Sequence, residues 1–262
     1  MKITAGIEQH VRTSGAGRRI VFVHGVGSHL ESWDGVVAVL GESYESLCYD
    51  LRGHGESEKA SGPYSLTMFV DDLAGLVNVI GWTRFDLVGF SLGGLIAQAF
   101  TLQYPAQVRT LSIISSVAGR TSEERARVRS RAATLAEEGA PAHLDTAVER
   151  WFSDQFRAAR PDVVARRLHR SRSNDPHCYA VAYDVLATND LLDDLHKIQA
   201  PTLVMTGEED SGSTPRMARL MARTIPNAKV TILSGLRHSV LLEAPDLVAQ
   251  TLGNFFELHK EI

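Results

Sequence analysis

The amino-acid sequence predicts an α/β fold in which a mostly parallel central sheet has helices on both faces and a helical cap inserted between strands. Short apolar runs bounded by turn residues alternate with segments of helical periodicity up to about residue 118. The same alternation returns after residue 196, and it is typical of parallel strands joined by helices. Between these parts we find amphipathic helical patterns and no convincing strand. We therefore expect a core of residues 1–118 and 197–262, with residues 119–196 forming the cap.

Seven strands are expected in the core. The first alternates weakly between apolar and polar residues, which suggests a sheet edge, whereas the second is a continuous apolar run of the kind buried on both faces. In chain order the expected strands are Gln9–Arg12, Arg19–Val23, Glu45–Tyr49, Phe85–Val88, Val108–Ile114, Pro201–Thr206 and Ala228–Leu233.

The connecting segments have the period of helices. The clearest is Ser65–Ile80, where Phe69, Leu73 and Leu76 share a face and Gly81 provides a typical helix end. The other core helices are expected at Ser32–Leu40, Gly94–Tyr104, Pro215–Ile225 and Pro245–His259. The cap helices are expected at Ser122–Glu138, His143–Phe156, Pro161–Arg172 and Pro176–Thr188. An insertion at the carboxyl ends of parallel strands is expected to lie above the ligand site there.

The bulk composition limits the classes of function. The chain has 262 residues, 44% of them hydrophobic, and a net charge of −4, so one large core is expected and a nucleic-acid surface is not. Two cysteines far apart favour a reducing compartment, and no apolar segment resembles a signal peptide or a membrane span. We expect a cytoplasmic protein that acts on a small molecule, away from membranes and without a cofactor or metal. A homodimer is left open.

One pentapeptide carries the strongest functional signal. Gly89-Phe90-Ser91-Leu92-Gly93 follows an apolar strand pattern and precedes a helical one, so this G-x-S-x-G sequence has the context of a nucleophile elbow. The turn is too tight for side chains at positions 89 and 93, and the serine at its apex would project its hydroxyl outward. An ordinary glycine-rich turn is the alternative for the motif alone. We expect Ser91 to be a nucleophile.

A serine nucleophile needs a base, and the base needs a group that orients it. Among ten histidines, His238 lies in a loop directly after the last predicted strand, where it would face a serine at another strand end. His24 and His54 also follow strands, but the glycines beside them indicate loop-shaping roles. The sequence leaves open whether three others face the site: His29, His143 and His177.

The acid should come from another strand end, between the serine and the histidine in the chain. Asp210 lies after the strand that begins at Pro201 and shortly before the next helix. Glu208 and Glu209 are rivals for this role. We prefer Asp210, which would hold the imidazole in the required tautomer and stabilise the imidazolium.

An acyl-transfer site also needs hydrogen-bond donors for an oxyanion. One is expected to be the backbone N–H of Leu92, directly after the nucleophile. The second is expected to be the N–H of Val26, in the loop after the strand Arg19–Val23. Gly25 and Gly27 in that loop allow the backbone to approach closely. Such donors stabilise the transition state by a few kcal/mol each.

The ordered motifs together resemble the α/β-hydrolase superfamily, of serine hydrolase type, over essentially the whole chain. The motifs that carry this resemblance are His24–Gly27, Asp50–Ser57, Gly89–Gly94, Gly207–Asp210 and His238. Further segments are similar to the 3-oxoadipate enol-lactonase-like and carboxylesterase-like members: Asp71–Leu73, Gly94–Gln98, Arg150–Ser153 and Arg160-Pro161.

This resemblance implies a cofactor-free hydrolase with a Ser-His-Asp triad. Its substrate would be a small ester, lactone or enol-lactone, cleaved through an acyl-enzyme. Three alternatives remain on the same fold: a hydrolase that cleaves a C–C bond next to a ketone, a ligand receptor without turnover, and a cofactor-free oxygenase.

The predicted cap is rich in arginine. Residues 120–172 contain twelve arginines, eight acidic residues and no lysine. Most of these arginines are expected on a solvated helix face, but one or two pointing inward would bind a substrate carboxylate. Arg150, beside the aromatic pair Trp151-Phe152, is the preferred candidate. Trp151 is expected either to line the pocket or to pack in the core.

Overall fold

The computed structural model describes residues 1–260, except for the side chains of Ala5 and Asp145. Its strands are β1 (Lys2–Ala5), β2 (Ile7–Ser14), β3 (Arg18–Val23), β4 (Tyr44–Tyr49), β5 (Phe85–Phe90), β6 (Val108–Ile114), β7 (Thr202–Gly207) and β8 (Ala228–Leu233). They form one sheet in the order β1-β2-β4-β3-β5-β6-β7-β8. All neighbours from β4 to β8 in this order are parallel. The predicted fold, a mostly parallel sheet with helices, is therefore confirmed.

The amino-terminal edge of the sheet differs from the prediction. The predicted edge strand Gln9–Arg12 is part of β2, which lies between β1 and β4. The edge is β1, which pairs antiparallel with β2 so that Lys2 lies opposite His10. Gly6 connects the two strands with a φ of 91°, which glycine adopts readily. A strand of four residues is too short to show a recognisable alternation, so the pairing alone defines it.

Helices cover both faces of the sheet. Within residues 1–260 they are α1 (Asp34–Leu40), α2 (Leu66–Ile80), α3 (Leu92–Gln103), α4 (Ser122–Glu138), α5 (Ala140–Asp145), α6 (Ala147–Trp151), α7 (Asp154–Ala159), α8 (Pro161–Arg172), α9 (Pro176–Thr188), α10 (Pro215–Thr224), α11 (Val240–Glu243) and α12 (Pro245–Glu257). Side chains of α2, α3 and α10 share one hydrophobic cluster with the sheet, and those of α1 and α12 share another. As predicted, Gly81 ends α2 in the left-handed conformation.

Helices α4 to α9, which lie between β6 and β7, are called the helical insert below. The single helix predicted at His143–Phe156 is wrong, because α5, α6 and α7 occupy this region. Phe152 has extended backbone after α6, and the hydroxyl of Ser153 accepts the N–H of Phe156 to begin α7. These short helices pack with α4, α8 and α9 around a core that includes Phe152 and Tyr179.

The insert follows the carboxyl end of β6, on the same edge of the sheet at which β5 and β7 end. Side chains at these strand ends therefore face the insert, as expected for a ligand site in a parallel sheet. None of the described helices combines the length and apolarity needed to cross a membrane.

Candidate active site

Ser91 occupies a strained turn between β5 and α3. Its φ of 55° and ψ of −116° are rarely adopted by a residue with a side chain. The turn needs glycine on both sides, since a Cβ at Gly89 would collide with the carbonyl of Gly93. A Cβ at Gly93 would collide with the carbonyl of Val23 in the neighbouring strand. The chain thus presents Ser91 at the carboxyl edge of the sheet, next to the start of a helix.

His238 connects Ser91 with Asp210. Its Nδ1 lies 2.7 Å from Asp210 Oδ2, and its Nε2 lies 3.3 Å from Ser91 Oγ. Asp210 is only 2% exposed, and its Oδ1 accepts the backbone N–H groups of Gly212 and Ser213, both at 2.9 Å. The carboxylate is therefore held on one side while it orients the imidazole on the other. The structure brings the three predicted triad residues together.

Close approach of two strand ends sets the distance between the imidazole and the carboxylate. A Cβ at Gly207, the last residue of β7, would collide with the carbonyls of Leu236 and Arg237. The loop that carries the histidine therefore packs directly on the end of β7. The rival acids point elsewhere: Glu208 accepts from Ser234 and Glu209 pairs with Arg237.

Two backbone N–H groups lie beside the nucleophile. Leu92 is the first residue of α3, so its N–H has no acceptor within the helix. The N–H of Val26 makes no hydrogen bond to the described residues, and Val26 lines the cavity at Ser91. A Cβ on Gly25 would lie 3.0 Å from Ser91 Cβ, so this loop passes directly against the serine. Both N–H groups that the sequence predicts as oxyanion donors thus belong to segments next to Ser91 and have no acceptor among the described residues.

The peptide group between Gly25 and Val26 is fixed by two hydrogen bonds to its carbonyl oxygen. The Gly25 carbonyl accepts from His24 Nδ1 at 2.8 Å and from the Ser28 N–H at 3.1 Å. In a trans peptide the N–H points opposite to the C=O, so these donors also fix the direction of the Val26 N–H. The orientation of this donor is therefore set by hydrogen bonds and not left to a flexible loop.

His24 and His54 are buried, neutral supports of the loops around the site. The Nε2 atoms of His24 and His54 accept the N–H groups of Leu51 and Gly27, both at 3.0 Å. Burial lowers the pKa of His24 to about 4 and that of His54 to about 3, against the weaker opposing effect of Asp50. A neutral imidazole with its proton on Nδ1 satisfies both contacts of each ring. The structure places both histidines in the expected loop-shaping roles.

The free energy of unfolding is expected to fall as the pH is lowered from about 6.5 to about 3. In the folded state His24 stays neutral down to about pH 4 and His54 down to about pH 3, whereas both bind protons below about pH 6.5 in the unfolded chain, so each destabilises the fold by about 1.4 kcal/mol per unit of its pKa difference. His54→Gln keeps an acceptor for the Gly27 N–H and removes one such group. Denaturant unfolding at several pH values should therefore show a shallower loss of stability in this variant, and parallel curves would contradict the assignment.

The cavity above Ser91 is lined by more positive than negative groups. Four arginines of the insert reach it, and among the described residues Asp210 is the one carboxylate that lines it. These arginines are Arg120, Arg131, Arg150 and Arg167. Arg120 donates to backbone carbonyls of Leu186 and Asn189, so it closes the end of α9. The other three leave a positive excess in the cavity.

Arg150, the predicted substrate-binding residue, faces this cavity without a partner. It makes no hydrogen bond or ion pair with the described side chains, and its Nη2 is buried and unpaired. Burial and the nearby charge of Arg131 lower its pKa. Trp151 also lines the cavity and is 8% exposed, so it is part of both the pocket wall and the core of the insert.

Two further polar side chains of the cavity lie close to this arginine. His143 is 2% exposed and neither ring nitrogen has a hydrogen-bond partner within the described residues. Its ring packs edge-on to Tyr183 at 4.8 Å, and burial, with the charge of Arg150, lowers its pKa to about 4. Tyr179 also has a buried, unpaired hydroxyl. Sequence reasoning left His143 open and missed Tyr179, because no motif marks either of them.

Comparisons with known proteins identify similar chains. The family model described as the alpha/beta hydrolase fold matches residues 18–245. The (E)-2-((N-methylformamido)methylene)succinate hydrolase of Acinetobacter baylyi is 29% identical over 256 residues, which cover 95% of this chain and 94% of that protein. The structure of the enol-lactonase from Burkholderia xenovorans LB400 has a TM-score of 0.90 and 28% identity, and covers 96% of this chain and 97% of its own.

A second solved structure is equally similar. The thermophilic esterase from Thermogutta terrifontis, solved with malate bound, has a TM-score of 0.90 and 28% identity. The alignment covers 99% of this chain and 98% of the esterase. These likenesses include the helical insert as well as the sheet, and the predicted resemblance to enol-lactonase-like proteins is confirmed.

Proposed function

The chain belongs to the alpha/beta-hydrolase family as an enzyme that acts on ester bonds, and we propose that Ser91, His238 and Asp210 form its catalytic triad. The substrate is a small ester, lactone or enol-lactone. The observation that carries the proposal is the run of contacts from Asp210 through His238 to Ser91, of 2.7 and 3.3 Å. It supplies a nucleophile, a base in reach of its proton, and a group that orients the base.

The reaction follows from this arrangement. Ser91 Oγ attacks the substrate carbonyl while His238 Nε2 accepts its proton, and the Val26 and Leu92 N–H groups stabilise the oxyanion. His238 then protonates the leaving oxygen, and an acyl-enzyme remains on Ser91. In a lactone this oxygen stays attached to the acyl group. Water, deprotonated by His238, attacks the acyl-enzyme and releases the acid.

We further propose that residues 119–196 act as a cap and that Arg150 binds a carboxylate of the substrate. The support is the unpaired guanidinium of Arg150, with the unpaired nitrogens of His143 beside it, in a cavity of positive excess. A buried cation without a partner is costly, and a substrate carboxylate would remove that cost. Two similar proteins involve dicarboxylates, a substituted succinate and malate. Trp151 would form the adjoining wall.

Turnover assays on small esters, lactones and enol-lactones test the proposed chemistry, with each compound supplied with and without a carboxylate. We expect steady hydrolysis of several members. A fluorophosphonate should stop it by labelling Ser91, which peptide mass spectrometry identifies. A label on another residue, or a panel without any hydrolysed member, would refute the proposal.

Arg150→Ala is expected to raise KM for carboxylate-bearing esters by about 10- to 100-fold. This factor corresponds to the loss of one charge-assisted hydrogen bond. KM for a neutral ester of the same shape should change by less than about twofold, because no charge is recognised there. Arg127→Ala is the matched control, since Arg127 lies on α4 with its side chain 57% exposed and pairs with Glu123. Equal changes in KM for both classes of ester would show that Arg150 does not bind the carboxylate.

A further inference from the structure

The loop that carries the Val26 donor is tied to the helical insert at one atom. The carbonyl oxygen of Gly27 accepts from Arg167 Nη1 at 3.0 Å, from Asn174 Nδ2 at 3.2 Å and from Ser171 Oγ at 3.4 Å. The N–H of Gly27 donates to the buried His54 Nε2 at 3.0 Å. Three side chains of the insert therefore converge on the residue next to Val26.

Arg167 is the charged member of this group, and its charge has no counter-ion among the described side chains. Its guanidinium also bonds to Ser171 and stacks 4.5 Å above the ring of Trp151. Burial lowers its pKa. Burying a guanidinium without a counter-ion is costly, and its bonds to the Gly27 carbonyl and Ser171 and its stacking on Trp151 offset part of that cost. Hydrogen bonds from charged donors are about twice as strong as neutral ones.

Trp151, on which Arg167 stacks, also contacts the loop of the proposed base. The carbonyl of Trp151 accepts the N–H of Ser239, the residue after the proposed base. Contacts therefore run from the base loop through Trp151 and Arg167 to Gly27. The helical insert therefore contacts both the loop of the proposed base and the loop that carries the Val26 N–H.

The loop itself cannot hold its position by backbone preference. Gly27 has a φ of 67°, and the segment Gly25–Ser28 contains two glycines. Glycine allows many alternative conformations, so hydrogen bonds decide which one is populated. The Gly27 carbonyl belongs to the same trans peptide as the Ser28 N–H, which donates to the Gly25 carbonyl, so a contact that holds the Gly27 carbonyl also supports the bond that orients the Val26 N–H. An oxyanion donor acts only when it lies within about 0.5 Å of its productive position.

We propose that Arg167 is a positioning residue of the oxyanion hole: from the helical insert, it holds the Gly27 carbonyl and thereby aims the Val26 N–H at the reacting carbonyl. This inference rests on the proposed function and extends it. The insert then has a role in transition-state stabilisation as well as in covering the substrate. Loss of Arg167 affects every substrate, whereas loss of Arg150 affects only those with a carboxylate.

The test compares Arg167→Ala with wild type on a neutral ester and a carboxylate-bearing ester of the same shape. The expected result is a fall in kcat of about 10- to 100-fold, approaching the loss of one oxyanion donor, equal for both esters and with KM changed less than about threefold. The Ki of a trifluoromethyl ketone, which forms an oxyanion on the serine, should rise by the same factor. Added methylguanidinium should restore part of kcat.

Three further variants sharpen this test. Arg167→Met retains an apolar side chain that can pack on Trp151. It replaces Arg167→Ala in the test if the alanine variant does not fold. Asn174→Ala removes a weaker donor to the same carbonyl and should lower kcat by a few-fold without rescue by methylguanidinium. Arg166→Ala is the control, because Arg166 is next to Arg167 on the same helix but is 68% exposed and pairs with Asp162.

A kcat within about twofold of wild type in a folded Arg167 variant overturns the proposal. So does a rise in KM confined to the carboxylate ester, which would place Arg167 in the anion site. Failure of the proposed function gives a different result: the fluorophosphonate would label a residue other than Ser91 in the wild type. A labelled Ser91 with unchanged kcat in Arg167→Met therefore refutes only the positioning role.

Discussion

Replacement of Ser91 by alanine is expected to lower kcat for every hydrolysed ester by about 10⁴- to 10⁶-fold. Without Oγ no acyl-enzyme forms, although the oxyanion donors and the base remain and give a small residual rate. The fold should be unaffected, because the strained turn depends on Gly89 and Gly93. In addition, the serine hydroxyl makes its hydrogen bond to His238 and not to a residue that supports the turn. Steady-state assays measure the loss, and the melting temperature serves as the control for folding.

Ser91→Ala should also lose the covalent label while still binding substrate. Equilibrium binding of a slowly hydrolysed ester, measured by calorimetry, is expected to stay within a few-fold of wild type. Turnover of the variant within about tenfold of wild type would show that another residue is the nucleophile, or that water attacks directly.

Asp210→Asn is expected to lower kcat by about 10⁴-fold, the second large effect. The amide would donate to His238 Nδ1 and leave the proton on Nε2, so the imidazole could not accept the proton of Ser91. The neighbouring Glu209→Gln is a matched control, since Glu209 pairs with Arg237 and is about half exposed. Assays on one neutral ester compare both variants, with folding checked by circular dichroism.

The contrast between these two variants decides which carboxylate orients the base. A loss below about tenfold in Asp210→Asn, or a larger loss in Glu209→Gln, would contradict the assignment. The KM values should change little in either variant, because the Asp210 oxygens are already bonded to His238 and to the Gly212 and Ser213 N–H groups, and Glu209 is not among the residues that line the cavity.

Local sequence signals were sufficient where steric or hydrogen-bonding rules act over a few residues. The strands β3 to β8 lie within one or two residues of their predicted bounds. A short apolar run between turn residues can form few structures other than a buried strand. The elbow was recognisable for the same reason, since only glycine fits at positions 89 and 93. The order of motifs then placed Ser91, Asp210 and His238 at strand ends, where a parallel sheet brings side chains together.

The errors occurred where the outcome depends on distant partners. The strand β1 exists through its pairing with β2, and its four residues show no pattern of their own. Residues His143–Phe156 have the hydrophobic pattern of a single helix, but Ser153 begins a new helix and the side chain of Phe152 packs in the core of the insert. Burial in that core outweighs the continuity of the helical pattern.

The class of fold, the serine at the elbow and the strand ends that supply its partners could all be derived from the amino-acid sequence, because these follow from local geometry and chain order. The sequence also showed that the insert is rich in arginine, and the aromatic pair beside Arg150 favoured that arginine as one that faces inward. The three-dimensional packing was needed to show that Arg150 is unpaired in the cavity and that Arg167 binds the Gly27 carbonyl. The physical reason is that the rotation of each helix in the insert is set by packing around Tyr179 and Trp151, far apart in sequence.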